Sequence, residues 1–118
     1  GRIDEGLRQV EAALEAVERH NERGYLPHAL IAHAELCRDA GRSTDSESHY
    51  LQAIQVSKSQ LARAFELRAA LGLAQMRVAA GRGDSAVELL NPLCVGFPDD
   101  ASSVDLATAR DLLQRLRA

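Results

Sequence analysis

Ala34-Glu35-Leu36-Cys37-Arg38-Asp39-Ala40-Gly41-Arg42-Ser43-Thr44-Asp45-Ser46 and Ala74-Gln75-Met76-Arg77-Val78-Ala79-Ala80-Gly81-Arg82-Gly83-Asp84-Ser85-Ala86 are two copies of one pattern, 40 residues apart. In each, a stripe of small and apolar residues runs up to a Gly, where an ending helix needs a residue that tolerates the left-handed C′ conformation. Gly1-Arg2 extends the series upstream, so Gly-Arg stands at 1, 41 and 81. After each Gly-Arg the same register carries Asp4, Thr44 and Asp84, side chains suited to accept hydrogen bonds from the free N–H groups of a first helical turn. Then follow Gly6, Ser46 and Ala86; Val10, Tyr50 and Leu90; Ala13, Ala53 and Leu93; and Leu14, Ile54 and Cys94. Those steps trace one face of a helix.

The residues before the turns match as well. Ala69, Leu73, Met76 and Ala80 form a clean helical face, and Ala29, His33, Leu36 and Ala40 form the same face with one polar intruder. Tyr25-Leu26 aligns with Phe65-Glu66. The spacing predicts six helices, near 3–20, 26–40, 44–58, 62–80, 84–95 and 103–117, joined into antiparallel hairpins by short turns. Gly96-Phe97-Pro98-Asp99-Asp100 breaks the pattern before the last helix, and Ser102 with Asp105 reads as its capping box. The fold class is all-α, in a single domain over 1–118.

Composition agrees. Aromatic residues are 3% of the 118, with no Trp, against 46% hydrophobic, so the core is built from Ala, Leu and Val. Such side chains suit closely approaching helices better than a β-sandwich. The net charge of −3 and the absence of a basic run leave no footprint for direct nucleic-acid binding. No apolar run is long enough to cross a membrane and no signal peptide is visible. Cys37 and Cys94 read as free thiols in a reducing cytoplasm.

Catalytic patterns are missing. There is no phosphate loop, nucleophile elbow or H-E-x-x-H, and Gly81-Arg82-Gly83 follows no strand, so it is not a dinucleotide fingerprint. His33 and Cys37, four apart on one helix, have a spacing at which two side chains can share a metal, with His28 or Cys94 as a third ligand. Both sit on the apolar stripe and read first as packing residues. His20 and His49 stand without a diagnostic partner. Asp99-Asp100 reads as a cap, and Glu15, Glu18 and Glu22 as a solvated helix face. No catalytic residue, metal or cofactor is expected, and the chain is not expected to be an enzyme.

The small, large and small residues around the Gly turns resemble the tetratricopeptide repeat. Ala34, Gly41, Ser46, Tyr50 and Ala53 fill its packing positions in one repeat, and Ala74, Gly81, Ala86 and Leu90 in the next, with Leu93 in place of the last Ala. The period of 40 is longer than the family's roughly 34. The resemblance implies a right-handed α-solenoid whose first helix of each pair lines a concave groove. Its outward positions fall on His28, Ile31, Glu35, Arg38 and Asp39, then on Arg68, Leu71, Gln75 and Val78. The stretch from Leu67 through Pro92, Phe97 and Asp105 to Leu116 also resembles the C-terminal repeat region of large bacterial signalling proteins. Those join an ATPase core to helical repeats, often with a cyclase or a DNA-binding domain. This implies a cytoplasmic regulatory module, active in signal transduction or transcription regulation, that binds a protein, a peptide or another domain of its parent chain. The phase of the repeat suggests a fragment opening on the second helix of a pair. Leu7, Val10, Leu14 and Val17 are then expected to lack part of their cover, and the helix over 3–20 to pair two copies into a homodimer. A self-association scaffold is the alternative function, and a small metal-dependent enzyme the remote one.

Overall fold

The computed structural model describes residues 2–20, 26–98, 101 and 103–117, the side chains of 13–20 and 26 excepted. The order is α1 (Arg2–His20), α2 (Leu26–Asp39), α3 (Ser43–Ser59), α4 (Arg63–Ala79), α5 (Gly83–Val95) and α6 (Val104–Arg117), with no strand among the described residues. These bounds lie within one or two residues of the sequence expectation.

The turns explain why. Gly41 (φ 76°) and Gly81 (φ 77°) are left-handed, and each closes its helix with two backbone bonds. Gly41 N–H donates to Arg38 O (3.1 Å) and Arg42 N–H to Cys37 O (2.8 Å); Gly81 and Arg82 do the same to Val78 O (3.0 Å) and Arg77 O (2.7 Å). This is the Schellman closure. The α3–α4 turn uses it too: Leu61 N–H donates to Lys58 O (3.1 Å) and Ala62 N–H to Ser57 O (2.8 Å), with Leu61 itself at φ 56°. A left-handed residue thus recurs at 41, 61 and 81, every helix rather than every second one.

The cap expectation needs correcting. Arg42, Ala62 and Arg82 are the N-caps of α3, α4 and α5, and none makes a side-chain cap bond. The residue that ends one helix is followed at once by the next helix, which leaves Thr44 and Asp84 inside the first turn. Asp4, Asp45 and Asp84 act there as first-turn carboxylates facing the positive helix end. For α6, the cap bond is Leu106 N–H to Ser103 Oγ (3.0 Å), while Ser102, Asp99 and Asp100 lie outside the described residues.

Each helix packs on its sequence neighbours. In addition α2 touches α4, and α4 touches α6, whereas among the described residues no two odd-numbered helices come together. Ala34, Ala53, Ala69, Ala74, Ala86 and Ala109 are fully buried, the small side chains that let helices approach closely. Ser46, also buried, donates from Oγ to Ala34 O (2.7 Å) across the α2–α3 hairpin. Around them pack Ile31, Tyr50, Leu67, Leu73, Leu90 and Leu106. Leu7 of α1 is buried by its own chain, contrary to the expectation for it, whereas Val10 is only partly buried and Ile3 is exposed; the side chains of Leu14 and Val17 lie outside the described residues. No described helix is long and apolar enough to cross a membrane.

Candidate functional site

Two places bring functional side chains together. The first is the surface formed by the even-numbered helices. Glu35 of α2 pairs with Arg68 of α4 (Oε1–Nη2 3.5 Å), both half-exposed. Arg38 of α2 reaches across to α4, donating from Nη1 to Gln75 Oε1 (3.3 Å) and to Gly72 O (3.5 Å). The His28 ring meets Phe65 edge-on, with centroids 6.2 Å apart. Asp39 is exposed and Val78 half-buried. Polar links thus tie α2 to α4 along their shared face.

Two of the nine groove positions are not on that surface. Ile31 and Leu71 are 2% and 6% exposed and belong to the core cluster. Because α2 and α4 touch directly, an aliphatic side chain between them is covered by its neighbour rather than offered to a partner.

The second place lies between α2 and α3. His33 and Cys37 are buried, and the His49 ring of α3 stacks on His33 with centroids 3.9 Å apart and a 32° tilt. One ligand atom from each of His33, Cys37 and His49 lies within 4.8 Å of the others. Glu11 of α1 also reaches the His33 ring, its Oε1 3.5 Å from Nε2. The Nδ1 atoms of both imidazoles are buried without a hydrogen-bond partner. Burial pushes the His33 pKa below its usual range, helped by His49 and opposed by Glu11 and Asp45. Burial likewise pushes the Cys37 thiol up, and Asp45 adds to it. Both shifts favour the uncharged form of each group.

The sequence supplied His33 and Cys37 but not their companion. His28 faces Phe65, and Cys94 sits on α5 beside the α5–α6 cleft. The missing signal was the hairpin itself: His33 stands eight residues before Gly41 and His49 eight after it, so an antiparallel pair closed at Gly41 sets them face to face.

The α5–α6 cleft, about 690 Å³, is lined by Asn91, Cys94, Val95, Phe97, Arg110, Leu113, Gln114 and Arg117. Arg110 donates to Pro98 O (3.0 Å) and Arg117 to Asn91 Oδ1. Among the described residues its lining holds no carboxylate or imidazole to serve as a general base. No family model matches the chain, and neither a curated protein nor a solved structure matches it at a significant level.

Proposed function

We propose that this chain is a tetratricopeptide-like solenoid segment that holds a protein surface, or another domain of its parent chain, on the face formed by α2 and α4. In this reading it serves a bacterial cytoplasmic regulator of signalling or transcription, and does no chemistry on that face. The observation that carries the proposal is the asymmetry of contacts: α4 touches both α2 and α6, whereas among the described residues no two odd-numbered helices come together. A row of hairpins packed that way curves, with the even helices on the inside. The extents of 43 × 29 × 19 Å fit a row better than a ball. So does the radius of gyration of 14.5 Å, somewhat above the roughly 13.5 Å of a compact chain this long. The inner face carries Glu35, Arg38, Arg68 and Gln75, a mixed-charge set whose pairings are half-solvated and so exchangeable for a partner's groups.

The test is site-specific photo-crosslinking in the native cell. A benzoylphenylalanine at Gln75, exposed on α4, is compared with one at Gln52, exposed on α3. The proposal expects a discrete adduct from position 75 and none from 52. Equal adducts from both, or from 52 alone, contradict it.

A further inference from the structure

We infer that His33, Cys37 and His49 form a binding site for one borderline-soft divalent cation of the zinc type, which clamps α2 to α3 beside α1. The donor set is two imidazole nitrogens and one sulfur, a combination that zinc favours over the hard cations calcium and magnesium. The three ligand atoms already lie within 4.8 Å of one another. A tetrahedral ion with bonds of about 2.0–2.3 Å needs its ligands roughly 3.3–3.8 Å apart, so closing the site takes a shift of about 1 Å. Rotation of three side chains on two packed helices supplies it.

An independent observation points to a ligand. His33 is 6% exposed, yet its Nδ1 has no hydrogen-bond partner, and His49 Nδ1 is in the same condition. Buried polar atoms are normally paired, and two orphaned imidazole nitrogens beside one thiol are what a metal would satisfy. The other nitrogen of His33 is already engaged: Glu11 Oε1 stands 3.5 Å from Nε2. A carboxylate on the far nitrogen fixes the ring and its tautomer, which is how metal-bound histidines are usually held. His49 is only partly buried, so solvent reaches the site past this residue and a water takes the fourth position. On binding, Cys37 releases its thiol proton to solvent and the thiolate forms the sulfur–metal bond; both imidazoles donate lone pairs and nothing is oxidised. The site lies between α2 and α3, apart from the α2–α4 face, and stands or falls independently of the partner reading.

The test uses the reduced, metal-free chain titrated with cobalt(II) and then zinc. One equivalent of cobalt should bind with a thiolate-to-metal charge-transfer band and the intense visible bands of four-coordination. Zinc should displace it and raise the melting temperature. Cys37→Ser should abolish the charge-transfer band, His49→Gln should weaken cobalt binding at least about tenfold with the band retained, and Glu11→Gln should weaken it about 10- to 100-fold. Cys94→Ser should change nothing. If Cys37→Ser does not fold by circular dichroism, the half-exposed His49 carries the decision: unchanged cobalt affinity in His49→Gln overturns the site. So does a folded, reduced wild-type chain with no charge-transfer band, or a band that survives Cys37→Ser or disappears in Cys94→Ser.

Discussion

The ring of Tyr50 on α3 occupies the space that a side chain at Gly72 on α4 would need. A methyl group on Gly72 would come within 2.5 Å of Tyr50 Cε1, 2.6 Å of Cζ and 2.7 Å of the hydroxyl oxygen. Both residues are buried, so neither can swing aside. The large residue of one helix and the missing side chain of the next are one packing decision, and they set how closely α3 and α4 approach.

Gly72→Ala should therefore destabilise the chain by about 1–3 kcal/mol in urea unfolding, despite the better helix propensity of Ala. Adding Tyr50→Leu should recover part of that loss, because the shorter side chain vacates the space. An additive double mutant would mean that the contact is not what makes Gly72 costly to replace.

The Tyr50 hydroxyl is buried and has no hydrogen-bond partner. Tyr50→Phe should thus leave stability unchanged or raise it by up to about 1 kcal/mol. Burial also raises the phenol's pKa above its usual 10, with Arg38 and Arg68 opposing and Glu35 and Asp39 reinforcing. The folded chain then holds this proton more tightly than the unfolded chain. Its contribution is complete below about pH 10 and falls as pH rises toward the folded pKa. Wild type should lose stability over that alkaline window, and Tyr50→Phe should lose less, as measured by denaturant midpoints across pH.

Leu61 is left-handed and 87% exposed, so it bears strain without packing to offset it. Leu61→Gly should stabilise the chain by about 1 kcal/mol, the approximate cost of a non-Gly residue in that conformation. Gly41→Ala and Gly81→Ala should each cost a similar amount in the same thermal melts. A destabilised Leu61→Gly would contradict the turn geometry.

These turns also show what the sequence makes legible. Gly41 and Gly81 announce their helix ends because a left-handed position selects for Gly, and the ends of α2 and α4 and the starts of α3 and α5 follow from them with the apolar stripes. Leu61 sits at the same geometry with no such signature, so the shared closure every 20 residues is visible only in the backbone. The pairing of His49 with His33 is hidden for a related reason: it depends on where the hairpin closes, not on spacing along a helix. Burial of Ile31 and Leu71 arises from direct contact between α2 and α4, which joins helices not adjacent in sequence and leaves no mark in either stripe.

Ala74, buried completely in α4, tests the repeat register itself. Ala74→Leu should overpack the helix contacts and cost about 1–3 kcal/mol. Unchanged stability would mean that the small residue is not there to admit a neighbouring helix.

The central claim is that the face shared by α2 and α4 is where a partner sits. Once a partner has been identified by crosslinking at position 75, its dissociation constant should be measured against wild type, Arg68→Ala and Gln52→Ala. Arginines near the middle of an interface often carry a disproportionate share of its affinity, so Arg68→Ala should weaken binding by about tenfold or more while Gln52→Ala binds like wild type. An unaltered constant for Arg68→Ala, or a loss confined to Gln52→Ala, would contradict the account.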